Sequence, residues 1–342
     1  MRVLLLGADG FIGRRVTDRL LVDQELQVTV LGRRDSADIR FDLTTGSPGA
    51  LARFLDAVAP QVVINCAGAT YGSSRVLIRA NTLAVATVCE AIRRSREPAR
   101  LVHVGSAAEY GPVPGGIPVA ESAEPRPVGP YGVSKLAGTE LVLASGLDAA
   151  VLRVFDVVGP GAPTASLFGR LAEGLRRALE RDETVVRMPD LSGYRDFVDV
   201  RDVARAIQSA AVSAATGVIN IGSGNAVRAR DAAQLLVRTA GFEGTVAEET
   251  RQPLLPAQAV GAGDQLLHPL AHHLAGHRAG DPRPGEGRGP EGRAVDGRSP
   301  AAEPVPWRQA DVRTARDRLG WRTQVPLEES LGDIWLETAC RV

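Results

Sequence analysis

Lysine is almost missing from this chain: reading its 342 residues gives a single lysine, Lys135, among the 40 basic side chains. Heavy use of Arg, Ala, Gly and Pro suits a GC-rich coding bias, so that shortage by itself excludes nothing. Cysteine is scarce too. Cys66, Cys89 and Cys340 are odd in number and widely spaced, which argues against a disulfide framework or a zinc site and for a reduced, cytoplasmic protein. Net charge is absent, at +0, so neither nucleic acid nor an anionic membrane is an expected partner. Long hydrophobic runs are absent as well. The opening MRVLLLGADG holds only a short apolar stretch before its first glycine, less than a signal-peptide core or a membrane span requires. Hydrophobic content of 44% with 23% charge then leaves an ordinary globular chain with a large core, and room for a second, smaller domain.

Short β-branched runs alternate with helical patterns. Strands are expected at 2–7, 27–32, 62–68, 100–106 and 150–155, and helices near 11–22, 49–59, 77–95 and 131–145. Apolar strands separated by helices indicate an α/β fold, a doubly wound parallel sheet covered on both faces. We place a Rossmann-like domain at 1–155, and a smaller C-terminal α/β substrate domain at 156–252 and 307–342. Helices are expected there at 166–181, from about 201, at 228–240, 310–321 and 327–339, with strands at 185–188 and 217–224. Residues 253–306 break the pattern, being dense in Gly, Pro, Arg and Ala without an aromatic. They read as a low-complexity insert or a frame-shifted segment, and His268, His272, His273 and His277 within it as loop rather than metal ligands.

GADGFIG, residues 7–13, follows the first strand and opens the first helix. Gly7 allows the tight turn, Gly10 lets a pyrophosphate approach the backbone, and Gly13 allows close helix–strand packing. Phe11 and Ile12 belong to the same cofactor-binding turn. The second strand ends in Arg33 and Arg34, where an acid usually meets the ribose hydroxyls of NAD; arginine there can pair with a 2′-phosphate. The expected cofactor is therefore NADP(H), with NAD(H) possible. Asp42 and Leu43 fall near the adenine edge, and Asn65, Cys66, Ala67 and Gly68 close over ribose and phosphate. Ser106 stands at the end of a strand, where such sheets bind ligands. Tyr131 and Lys135 are spaced i, i+4 and so share a helix face. An ammonium beside a phenol favours the phenolate and lowers its pKa, while the serine hydroxyl can polarise a carbonyl.

GADGFIG, NCAG, GSAAEYG, YGVSK and RDFVDVRDVA (195–204) together resemble the extended short-chain dehydrogenases/reductases, the NAD-dependent epimerase/dehydratase family of nucleotide-sugar enzymes. The resemblance implies Ser106, Tyr131 and Lys135 as catalytic trio, with Lys135 also holding the nicotinamide ribose. Asn81 matches the family asparagine behind the site, Arg195 the arginine that grips the substrate diphosphate, and a homodimer through the helices at 77–95 and 131–145 is implied. Three departures narrow the choice. Ala107 and Ala108 stand where 4,6-dehydratases carry acids, with Glu109 one step late. Arg33 disagrees with a retained NAD, as epimerases keep it. Asp156 replaces an asparagine near the substrate diphosphate. ATYG (69–72), GPYGVSKLA (129–137) and GYRDFVDVRDV (193–203) are similar to GDP-4-keto-6-deoxymannose reductases. The expected activity is NADPH-dependent reduction of a nucleotide-activated 4-keto-6-deoxy sugar. A nucleotide-sugar epimerase and a non-catalytic NADP-binding protein stay as alternatives.

Overall fold

The computed structural model describes residues 1–249 and 306–340. The first strand shows why a sheet with two covered faces forms. In β1 (Arg2–Leu6), Val3 and Leu5 enter one core and Leu4 and Leu6 the other, the period-two alternation of a pleated strand. From there the chain runs α1 (Phe11–Leu21), β2 (Gln27–Gly32), β3 (Ile39–Arg40), α2 (Pro48–Val58) and β4 (Val62–Asn65). Next come α3 (Ser74–Ile78), a π-helical segment (Arg79–Leu83), α4 (Ala84–Arg94), β5 (Arg100–Ser106), α5 (Gly129–Leu143) and β6 (Ala149–Val154). The later segment adds β7 (Asp156–Val158), α6 (Leu167–Glu180), β8 (Val185–Met188), β9 (Tyr194–Asp199), α7 (Val200–Val212) and β10 (Gly217–Ile221). It continues with β11 (Ala226–Arg228), α8 (Ala229–Thr239), β12 (Thr245–Glu248), α9 (Arg313–Leu319) and α10 (Leu327–Ala339).

Seven strands form the main sheet in the order β10-β6-β5-β4-β1-β2-β3, and every pairing in it is parallel. The expected doubly wound sheet is present. The order reverses between β1 and β4, which opens a crevice at the carboxyl ends of these strands. The strand at 217–224 turns out to be the sheet's outer member, β10, paired with β6. A third core lies among α6, α8 and α10, built on Phe168, Leu171, Leu175, Phe197, Leu236 and Ile334. It carries a small sheet, β11-β9-β7, whose members at 156–158, 194–199 and 226–228 were not expected from sequence.

Two expected helices are broken by polar demands. The pattern at 77–95 is divided by the π-helical segment, centred on Asn81. Its side-chain oxygen accepts from the Ala69 N–H at 2.8 Å while its amide donates to the Ala69 carbonyl at 2.8 Å and to Ser134 at 3.0 Å. The helix expected from 310 starts at Arg313, because residues 306–311 run extended. Pro306 and Arg308 bond both sides of Tyr194, and Gln309 and Asp311 both sides of Val119. The insert and the histidine run expected within it lie outside the described residues, apart from Pro306. No helix among the described residues is long and apolar enough to cross a membrane.

Candidate active site

Two adjoining clefts occupy the crevice, of about 530 Å³ and about 620 Å³, and Gly10, Cys66, Ala67, Gly68 and Ala69 line both. The smaller begins at the glycine turn. Gly7 has φ +79°, and a side-chain carbon there would sit 2.5 Å from the Ala67 nitrogen. One at Gly13 would sit 2.0 Å from the Gly7 carbonyl oxygen, so strand and helix meet too closely for any other residue. Where Ser47 caps α2 with its hydroxyl, α1 begins at Gly10 with no side-chain cap. Its first N–H groups are thus available to an anion, and the dipole favours one. These features fit a dinucleotide.

Arg33, Arg34, Asp42, Leu43, Arg75 and Arg79 line the far end of this cleft. Burial pushes the Asp42 carboxyl up, but the Thr44 N–H and hydroxyl with Arg33 and Arg79 hold it below its usual value. Arg34 faces Asp9 at 3.7 Å, so part of its charge is matched. Arg75 and Arg79, from α3 and the π-helical segment, were missed in the sequence because arginine is everywhere in it. Asn81 lines the larger cleft and bonds Ala69 and Ser134.

The larger cleft gathers Phe11, Ile12, Ser106, Tyr131, Lys135, Asp156, Arg195 and also Arg308. Ser106 ends β5, and Tyr131 and Lys135 stand one turn apart on α5. Lys135 is buried, its Nζ donating to the Val104 carbonyl at 2.6 Å. Burial lowers its pKa, partly offset by Glu109 and Cys66. The Cys66 thiol is pushed up to about 12 by burial, so it stays protonated. The expected lowering of the Tyr131 pKa by Lys135 is not seen. Burial raises it, and Glu109, Asp156 and Tyr71 add to this against the Ser106 hydrogen bond. The ammonium is turned toward Val104 instead. The phenol is therefore held protonated, the form in which it can give up a proton.

Glu109, one step past the acid positions of dehydratases, is sealed beneath the site. It accepts from the Ser106 N–H at 2.8 Å and from Arg153 Nε at 2.7 Å, with neither side chain more than 3% exposed. Removing one partner of such a pair costs about 3–5 kcal/mol, so Glu109 fixes Ser106 rather than meeting a substrate. Arg153 also lies 4.6 Å over the Tyr110 ring, whose hydroxyl donates to Asn220 at 2.7 Å.

Asp156, Arg195 and Arg308 close the opposite wall. Arg195 Nη1 is 3.3 Å from Asp156 Oδ1, and Arg308 Nη1 is 3.6 Å from Oδ2. Sequence reasoning singled out Arg195 alone for a diphosphate; the structure brings Arg308 here as well. Trp307 packs on Tyr194 at 4.9 Å between ring centres. The buried Asp196 accepts from the N–H groups of Ser223, Gly224 and Ala310 and from the Ser223 hydroxyl. Burial lifts its carboxyl to about 6 against the pull of those four donors. The signal was legible only in hindsight, as WR just ahead of ADVRTARDRLGW.

A glycine turn under a parallel sheet, with serine, tyrosine and lysine at its carboxyl edge, defines a Rossmann-fold enzyme of nicotinamide dinucleotides. The chain belongs to the NAD dependent epimerase/dehydratase family, whose model matches residues 3–222. It is 33% identical to a dTDP-6-deoxy-L-talose 4-dehydrogenase (NAD(P)(+)) of Kitasatospora kifunensis, covering 98% of this chain and 94% of that protein. It is 27% identical to a GDP-6-deoxy-D-mannose reductase of Pseudomonas aeruginosa, over 71% of this chain and 81% of that one. Among solved structures it resembles RMD from Pseudomonas aeruginosa complexed with NADPH, with TM-score 0.75, 21% identity and coverage of 100% and 99%; that likeness concerns the fold.

Proposed function

We propose that this protein uses NADP(H) to reduce the 4-keto group of a nucleotide-activated 6-deoxy sugar. The observation that carries the reading is one cleft lined by Ser106, Tyr131 and Lys135 together with the arginine pair Arg195 and Arg308. A sugar diphosphate held by those arginines would present its ring to the phenol. The names of both relatives above, a dehydrogenase and a reductase of nucleotide-linked 6-deoxy sugars, support the same class.

When bound, the nicotinamide ring supplies or takes up hydride. Ser106 orients the keto oxygen, and Tyr131 delivers the proton that this oxygen gains on reduction. Lys135 is buried with its ammonium on the Val104 carbonyl at 2.6 Å, and its remaining N–H bonds are offered to the ribose. Gly7, Gly10 and Gly13 admit the pyrophosphate, while Arg33 with Arg75 and Arg79 favours a 2′-phosphate over bare hydroxyls. In functional terms 1–155 is the cofactor side, and 156–252 with 307–342 the substrate side. A cytoplasmic homodimer belongs to the same proposal. Ile78, Leu83, Val133, Leu141 and Leu143 are exposed on the helices expected to form it, and the mass in solution checks it.

The direct test is incubation with NADPH and a panel of 4-keto-6-deoxy sugar nucleotides. One equivalent of NADPH oxidised per product supports the reductase. Isomerisation without net oxidation would make it an epimerase, and binding without turnover would leave only a cofactor-binding protein.

A further inference from the structure

Asp156 stands where the family resemblance leads one to expect asparagine, in the wall that faces a diphosphate. A stray anion there would weaken substrate binding, yet the structure gives it definite work. Each carboxylate oxygen meets a different arginine, Oδ1 with Arg195 at 3.3 Å and Oδ2 with Arg308 at 3.6 Å. The two arginines come from segments far apart in sequence, and Asp156 is a side chain that both touch. Its Oδ2 is buried and has no hydrogen-bond partner, so it keeps accepting capacity that the ion pairs leave unused.

We propose that Asp156 sets the charge preference of the sugar subsite: it pairs the two arginines for a diphosphate and turns away sugars that carry a carboxylate. The proposal rests on the nucleotide-sugar reading above. Asp156, both arginines and Tyr131 line one cleft, and Asp156 touches the arginines, so a sugar joining that diphosphate to the phenol passes beside Asp156. A neutral sugar can donate a hydroxyl to Oδ2, satisfying the buried acceptor. A hexuronate brings a second carboxylate to the same wall, where the diphosphate already occupies Arg195 and Arg308; the other basic side chain lining this cleft among the described residues, Lys135, is buried with its ammonium on the Val104 carbonyl. Like charges a few ångströms apart in a partly dried cleft disfavour binding by about tenfold or more. Asparagine would accept the same hydroxyl without the repulsion, so the effect belongs to the charge and not to the shape.

The test is calorimetry on the full-length protein loaded with NADP⁺, first with UDP, dTDP and GDP. The best-binding base is then used as a matched pair, such as UDP-glucose against UDP-glucuronic acid. Expected is at least tenfold tighter binding of the neutral sugar, falling to within about threefold in Asp156→Asn. NADP⁺ affinity, read in the same samples, shows that the variant is folded. Equal affinity for the pair in the unaltered protein overturns the proposal, as does a preference that survives Asp156→Asn. If none of the three nucleoside diphosphates binds, the nucleotide-sugar reading falls and this proposal falls with it.

Discussion

The two walls of the cleft are built on opposite plans. On the cofactor wall the glycine turn and the Tyr131–Lys135 pair are each one short contiguous motif, which a strand end or a helix turn places. Gly7 to Gly13 are a single turn, and Tyr131 and Lys135 are one turn of α5. On the substrate wall Asp156, Arg195 and Arg308 come from three separate stretches. Buried polar hubs hold them, with Asp196 reaching an N–H 114 residues further along the chain. Local geometry resists single changes away from the motif; a hub fails wherever any of its members is removed.

The largest effect is expected on the local wall. Tyr131→Phe should lower the reduction rate by roughly 10²–10⁴-fold, and Lys135→Arg should lose most of it while keeping the charge. Near-normal turnover by the arginine variant would make the lone lysine an accident of codon use. The pH profile sharpens the same point. The Tyr131 phenol is held above its ordinary 10.0 and the Lys135 ammonium below its ordinary 10.5. Because Tyr131 gives up a proton in the reduction, the rate should fall on the alkaline side, as Lys135 and Tyr131 lose their protons; a rate that climbs with rising pH would contradict this arrangement.

A smaller but more one-sided loss is expected from the distributed wall. Asp196→Asn replaces an acceptor of four hydrogen bonds with a weaker one, and each unpaired buried N–H costs about 1–3 kcal/mol. Because one of them belongs to Ala310, two residues beyond Arg308, nucleoside diphosphate affinity should drop tenfold or more while NADPH affinity holds. Equal losses of both would mean that the walls are not separable. The carboxyl also has a pH signature. Its value rises from 3.8 to about 6 on folding, so the native state binds the extra proton in that window. The stability Asp196 contributes is full below about 4 and is lost as pH rises through about 6. Denaturant unfolding of the unaltered protein against Asp196→Asn at several pH values reads that slope.

The smallest effect concerns the far end of the cofactor wall. NADPH should bind more tightly than NADH by about ten- to a hundredfold, and Arg33→Ala should erase most of that preference. Equal affinities before the change would remove the reason for favouring reduction over epimerisation.

These two plans also explain what could be read from the chain. The strand–turn–helix order follows from periodicity, and a strand end and an i, i+4 spacing mark Ser106, Tyr131 and Lys135, whose joint role was what the family resemblance implied. Glu109 was visible as an acid out of place, but its pairing with Arg153 depends on strands β5 and β6 lying side by side. Arg308 was hidden for two reasons. One arginine among so many carries no signal, and its place is fixed by Tyr194 and Asp196 rather than by its neighbours in sequence. The short strands β7, β9 and β11 were missed because three to six residues with charged members show no alternation that survives without their partners.

Arg308 also has a consequence for the order in which the protein is made. Chains emerge from the ribosome N-terminus first, at about 5–20 residues per second. All seven strands of the main sheet lie before residue 222. The nucleotide cradle can therefore close well before Trp307 arrives to pack on Tyr194. A nascent chain would bind its dinucleotide some seconds before it owned a complete grip for the second ligand. On the proposed function, a product cut short by an early stop codon would hold a dinucleotide cleft without the Arg308 part of the opposite wall.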